Sequence, residues 1–102
     1  HKNIVHMFEA EIVQGKLHPE AYVVLELCTN GTLADAINAR VPERLPGLPE
    51  RKIWEIFYQI CDAVAFLHQQ RPPIIHRDLK AENVLVRFCN PQHHRIRWNY
   101  QT

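Results

Sequence analysis

Glycine is scarce in this sequence of 102 residues: there are three, scattered, and none belongs to a Gly-rich phosphate loop. Cysteine is equally sparse. Cys28, Cys61 and Cys89 lie far apart, are odd in number and form no C-x-x-C, which argues for free thiols in a reducing compartment and against a disulfide framework. No apolar run approaches the roughly 18 residues of a membrane span, so none is expected. Neither sign of charge is in excess. With 12 Lys and Arg against 11 Asp and Glu, the formal net charge of +1 gives no reason to invoke nucleic acid or an acidic partner. A signal-peptide pattern is missing, and the sequence opens at His1, so the natural N-terminus is expected upstream.

What is present suits one small α+β domain or a piece of a larger one: 46% hydrophobic and 23% charged residues exclude wholesale disorder. Val5, Met7 and Ala10 fit a first strand, and the polar stretch from Gln14 to Glu20 a turn. The short run from Ala21 to Cys28, rich in β-branched residues, predicts a buried strand. Asn30-Gly31 ends it, and Thr32 is placed to N-cap a short helix reaching Ala39. Pro42, Pro46, Gly47 and Pro49 predict a loop. From Glu50, Ile53, Ile56, Phe57, Ile60, Cys61, Val64, Leu67 and His68 recur at three- and four-residue steps as one helical stripe. Pro72-Pro73 stops that helix, and Val84-Leu85-Val86 predicts another strand.

Between helix and strand stands His76-Arg77-Asp78-Leu79-Lys80-Ala81-Glu82-Asn83. The octapeptide fits H-R-D-L-x-x-x-N, the catalytic-loop pattern of protein kinases, in the helix–loop–strand context the pattern requires. The chain therefore resembles the central part of the bilobal protein-kinase fold: two small-lobe strands, the hinge, the first large-lobe helices and the catalytic loop. Phosphoryl transfer asks the protein for positioning and charge compensation. The resemblance implies Asp78 as the base for a substrate hydroxyl and Lys80 as a cation beside the transferred phosphate. It makes Asn83 an oxygen ligand for magnesium, a hard cation. Arg77 would meet a phosphate on an activation loop, and His76 would pack within the core. Singly, an Asp or a Lys in a loop is a solvated surface residue; only the joint pattern carries the reading. Glu82 fits a contact with a basic substrate residue as well as it fits a solvated glutamate. Lysine at position 80 resembles serine/threonine rather than tyrosine kinases.

The same register puts Leu25 at the gatekeeper position. Glu26, Leu27 and Cys28 form the hinge, with the Glu26 carbonyl and the Cys28 amide facing the adenine of ATP. Leu85 would floor the base, with Val23 and Leu33 packing nearby. Val23, Leu25 and Leu85 could equally be plain core, and both readings can hold, since an adenine slot is a gap in a core. His1-Lys2-Asn3-Ile4-Val5, Leu25-Glu26-Leu27-Cys28, Ile56-Phe57-Tyr58-Gln59-Ile60-Cys61, Pro72-Pro73-Ile74-Ile75 and Ala81-Glu82-Asn83 resemble the numb-associated kinases, which include adaptor-associated and cyclin-G-associated kinases. That likeness implies protein substrates phosphorylated on Ser or Thr, clathrin adaptors among them, and a cytoplasmic or coated-vesicle setting.

The resemblance covers residues 1–86. Residues 87–102 read as a divergent basic tail with Arg87, Arg95 and Arg97 and no acidic residue. The sequence holds no V-A-I-K lysine, no D-F-G and no A-P-E. Ile96, Trp98 and Tyr100 alternate as a strand would, and Asn99 stands near the place of the D-F-G aspartate without its charge. His93-His94 has too few companions for a metal shell. The 102 residues are thus expected to be inactive alone, with a parent that transfers the γ-phosphate of Mg-ATP to Ser/Thr hydroxyls. The alternative is a truncated, non-catalytic product that binds a partner or competes with the full kinase.

Overall fold

The computed structural model describes residues 1–39, 47–88 and 94–98. Two strands, β1 (Met7–Gln14) and β2 (Pro19–Leu25), form an antiparallel hairpin. The register shifts between Met7 and Glu9, a bulge at the end of β1 nearest the rest of the chain. Gly15 closes the turn by donating its N–H to His18 O at 3.1 Å. A Cβ at position 15 would sit 2.5 Å from that same oxygen, so the turn needs glycine there.

Helix α1 (Leu33–Asn38) starts as the sequence predicts, at Thr32, and with more than a simple cap. The Asp35 N–H donates to Thr32 Oγ1 at 3.1 Å while the Thr32 N–H donates to Asp35 Oδ2 at 2.7 Å, a reciprocal capping box. These bonds from Thr32, main chain first, hold the Asp35 carboxyl below its usual range. A depressed carboxyl stabilises the fold above its ordinary pKa and stops doing so as pH falls through the lowered one. Replacing Thr32 with Ala should cost about 1 kcal/mol at neutral pH, read from denaturant midpoints.

Helix α2 (Glu50–His68) spans most of the predicted stripe. It ends at Gln69, ahead of Pro72-Pro73, and the chain folds back so that the Ile74 N–H donates to Leu67 O at 3.0 Å. A single 3-10 turn (Ala81–Asn83) leads into β3 (Val84–Phe88), which pairs antiparallel with β4 (His94–Trp98), Val84 opposite Trp98. The expected loop from Arg40 lies outside the described residues up to Pro46, as do Cys89, His93, Asn99 and Tyr100.

The centre of packing is Ile56 and Ala63 of α2 against Val84 of β3, with Ile4, Leu33, Leu48 and Ile60 around them. The N-terminal residues dock on the same helix. Asn3, 2% exposed, donates through Nδ2 to Gln59 O at 3.2 Å and to Asp62 Oδ2 at 3.1 Å. Lys2 pairs with Asp62 at 3.3 Å, and the His1 ring lies against Phe66.

One expectation fails. The run from Ala21 to Cys28 was predicted as a buried strand, yet Tyr22, Val23 and Val24 of β2 are about half exposed. A strand apolar on both faces needs a layer on each face. Here β2 has one hydrogen-bonded neighbour and no layer against it among the described residues. On α2 the stripe is likewise only part covered: Ile53 and Phe57 remain exposed, lining an open apolar groove with Leu33, Ile37 and Leu48.

Candidate active site

The segment from His76 to Asn83 is shaped by its own short-range bonds. Arg77 adopts φ 68°, a left-handed conformation that a non-glycine residue takes only at some cost. That kink turns the chain so that the Asp78 N–H donates to His76 Nδ1 at 3.3 Å. The 3-10 turn then brings Asn83 back under Asp78. Asn83 Nδ2 donates both to the Asp78 main-chain oxygen at 2.8 Å and to Asp78 Oδ2 at 2.9 Å. Lys80 Nζ reaches the same Oδ2 at 3.0 Å. Asp78, Lys80 and Asn83, singled out from sequence, are thus brought together.

Their environments differ. Asn83 is buried, 8% exposed, whereas Asp78 and Lys80 face solvent. Carboxylate and carbonyl oxygens can only accept, so the amide nitrogen must be the atom that faces Asp78. The amide oxygen of Asn83 is then turned to the other side, a neutral acceptor on a fixed support. Hydrogen bonds from Lys80 first and Asn83 second, with the charges of Lys80 and His76 adding to them, hold the Asp78 carboxyl below its usual range. Asp78 is therefore an ionised acceptor at neutral pH. Replacing Lys80 with Met should move the Asp78 carboxyl back up toward the ordinary carboxylate range, followed by carboxyl-carbon NMR across an acid titration.

The residues read as a hinge follow the end of β2. Leu25 ends β2 opposite Met7. The Glu26 N–H donates to His6 O at 2.8 Å, and Glu26 Oε2 accepts from the His6 N–H at 3.3 Å. Leu85 bridges to Thr32, and the Val86 N–H donates to Gly31 O at 2.9 Å, so the chain after the hinge lies along β3. Gly31 has φ 70°, and a Cβ there would meet Asp35 Oδ2 at 2.8 Å. Cys28 is half-buried. Val23, expected near the slot, is half exposed at 49%.

Sequence reading gave Arg87 no role beyond a basic tail. The structure places it on β3, with Nη1 2.6 Å from Glu26 Oε1, and the Glu26 side chain is only 13% exposed. These partners are 61 residues apart, and no local pattern announces them. No group of three or more His, Cys, Asp or Glu side chains that could hold a metal occurs among the described residues. The oxygen that could serve a hard cation here is the Asn83 amide oxygen, since Asp78 Oδ2 is already taken by Lys80 and Asn83 Nδ2. That donor suits magnesium, which takes one or two protein oxygens and keeps its other positions for water and phosphate.

The sequence matches known proteins over most of its length. The model of the protein kinase domain matches residues 1–97. A protein of Dictyostelium discoideum named as a probable serine/threonine-protein kinase is 40% identical over 86 residues, covering 84% of this chain and 8% of its own. Serine/threonine-protein kinase ppk30 of Schizosaccharomyces pombe is 41% identical over 88 residues, 84% of this chain and 9% of its own. Actin-regulating kinase 1 of Saccharomyces cerevisiae is 37% identical over 90 residues, 85% of this chain and 14% of its own. The chain thus spans between 8% and 14% of the length of these relatives. With the catalytic-loop pattern folded as a bonded unit and the family match running from His1 to Arg97, this chain belongs to the protein kinase domain family.

Proposed function

We propose that the polypeptide carrying these residues is a protein serine/threonine kinase. The observation that carries this is the convergence of Lys80 and Asn83 on one oxygen of Asp78. In this reading the ionised Asp78 carboxylate orients the hydroxyl of a serine or threonine and takes up its proton as the oxygen attacks the γ-phosphate. Lys80 compensates the charge on the transferred phosphate. Both side chains of the Asp78–Lys80 pair are about half exposed, so the pair is screened and opens readily when a substrate arrives. Asn83 would hold magnesium through its amide oxygen; when bound, the ion neutralises charge on the phosphate oxygens. Leu25, Glu26, Cys28 and Leu85 would hold the adenine: main-chain groups of Glu26 and Cys28 at its edge, Leu85 beneath.

Lysine at position 80 supports Ser/Thr over Tyr. The peptides quoted from His1-Lys2-Asn3-Ile4-Val5 to Pro72-Pro73-Ile74-Ile75 support the numb-associated branch, with clathrin adaptors as substrates and a cytoplasmic, coated-vesicle setting. The name of the yeast actin-regulating kinase supports a substrate connected with actin. No helix among the described residues is long and apolar enough to cross a membrane. The test is phosphate transfer from labelled ATP to a peptide library by the intact polypeptide. Label on serine or threonine is the expected result; label on tyrosine alone, or none with ATP bound, refutes the reading. A second reading, a non-catalytic binding product, is favoured by the half-exposed apolar faces of β2 and α2. It predicts partner capture without phosphate transfer.

A further inference from the structure

We infer that Arg87 is a positioning residue for nucleotide binding: its ion pair with Glu26 clamps the hinge to the strand that floors the adenine slot. This rests on the proposed kinase reading. Successive side chains of a strand point to opposite faces, so Leu85 and Arg87 stand on the same face of β3. The hinge is thereby fastened to this one strand at two places. At its start, Glu26 Oε1 meets Arg87 Nη1 at 2.6 Å. At its end, Gly31 O accepts from the Val86 N–H, and Thr32 bridges to Leu85. The span between these fastenings includes Leu27, which is 83% exposed.

The first fastening also reaches the hairpin. Glu26 Oε2 accepts from the His6 N–H while the Glu26 N–H donates to His6 O. One carboxylate therefore joins the base of β1, the hinge and β3. The Glu26 side chain is far more buried than that of Arg87, 13% against 38% exposed. Removing Arg87 would break the bond that ties this largely buried carboxylate to β3, and the residue that carries it would be released from the strand. That residue's carbonyl is the one expected at the adenine edge. The slot would lose its fixed width, and affinity for the base would fall before the chemistry at Asp78 is touched.

The test measures ADP binding by calorimetry without magnesium, so that the adenine grip is read apart from metal and phosphate contacts. It uses the intact polypeptide with Arg87→Met, Arg87→Lys, Glu26→Gln and the Arg87→Met/Glu26→Gln double variant. Loss of the clamp should raise the Kd for ADP about tenfold in Arg87→Met, with kcat nearly unchanged and KM for ATP raised in step. Arg87→Lys should recover most of that affinity. The double variant should bind no worse than Arg87→Met, since both changes break one pair. A Kd within twofold of wild type in Arg87→Met, or fully additive losses in the double variant, overturns the inference. Should Arg87→Met not fold, Glu26→Gln decides it: an ADP Kd within twofold of wild type in that variant overturns it. Wild-type protein that binds no ADP sinks the kinase reading itself, whereas normal wild-type binding with an insensitive Arg87 sinks the clamp alone.

Discussion

Asp78→Asn in the intact polypeptide should lower phosphate transfer about a thousandfold while ADP affinity changes little. The substitution keeps size and shape and leaves an oxygen to accept from Asn83 Nδ2, so the loop has reason to stay folded. What it removes is the negative charge and the ability to take a proton. The structure holds that charge in place from two directions, through Lys80 at 3.0 Å and Asn83 at 2.9 Å. Its carboxyl lies below the usual range, so in wild type Asp78 is ionised throughout the neutral region. As pH falls through the lowered pKa the carboxylate is protonated and activity is lost. The measurement is single-turnover transfer from saturating ATP. A variant keeping more than a tenth of the wild-type rate would remove Asp78 from the base role.

The largest effect on stability is expected from Val84→Asp. Val84 is 2% exposed and sits against Ile56 and Ala63, where the strand leaving the active-site loop meets α2. A carboxylate there has no cation within this apolar cluster, and burial of an unpaired charge is among the costliest of single changes. A loss on the order of 4 kcal/mol is expected, enough to consume much of the stability of an ordinary domain. Val84→Ala, which only leaves a gap, should cost about 2 kcal/mol. Chemical denaturation of both variants beside wild type gives the comparison. Equal costs would mean that Val84 is solvated. Because Asn83 precedes Val84, ADP-bound and free samples should both be measured.

How much of this was legible beforehand depended on sequence distance. The catalytic loop was legible because its bonds are local: Asp78, Lys80 and Asn83 lie within five residues of one another. Thr32 was legible as a cap for the same reason, although the return bond from the Thr32 N–H to Asp35 was not foreseen. Helix α2 announced itself by its stripe and by the prolines after it. Exposure was not legible. The β-branched run of β2 states only that it would gain from cover, and cover depends on what packs against it. The Glu26–Arg87 pair was invisible for a different reason. Charges 61 residues apart carry no pattern, and Arg87 stands at the change to a basic composition, where a solvated cation is the ordinary expectation. The docking of Asn3 onto Gln59 and Asp62 was missed likewise.

The bonds between His6 and Glu26 have a mechanical consequence. Asn3 is tied to α2 and Glu26 to β3, so the base of the β1–β2 hairpin is held on both sides. Among the described residues the other end, at Gly15 to His18, is closed only on itself. A hairpin fastened at its base would pivot there, beside Glu26. A nucleotide seated beside Glu26 would act close to that pivot, where a slight tilt becomes long travel at the tip. A spectroscopic label at the exposed Leu17 would therefore register binding events as large displacements while the slot itself hardly moves.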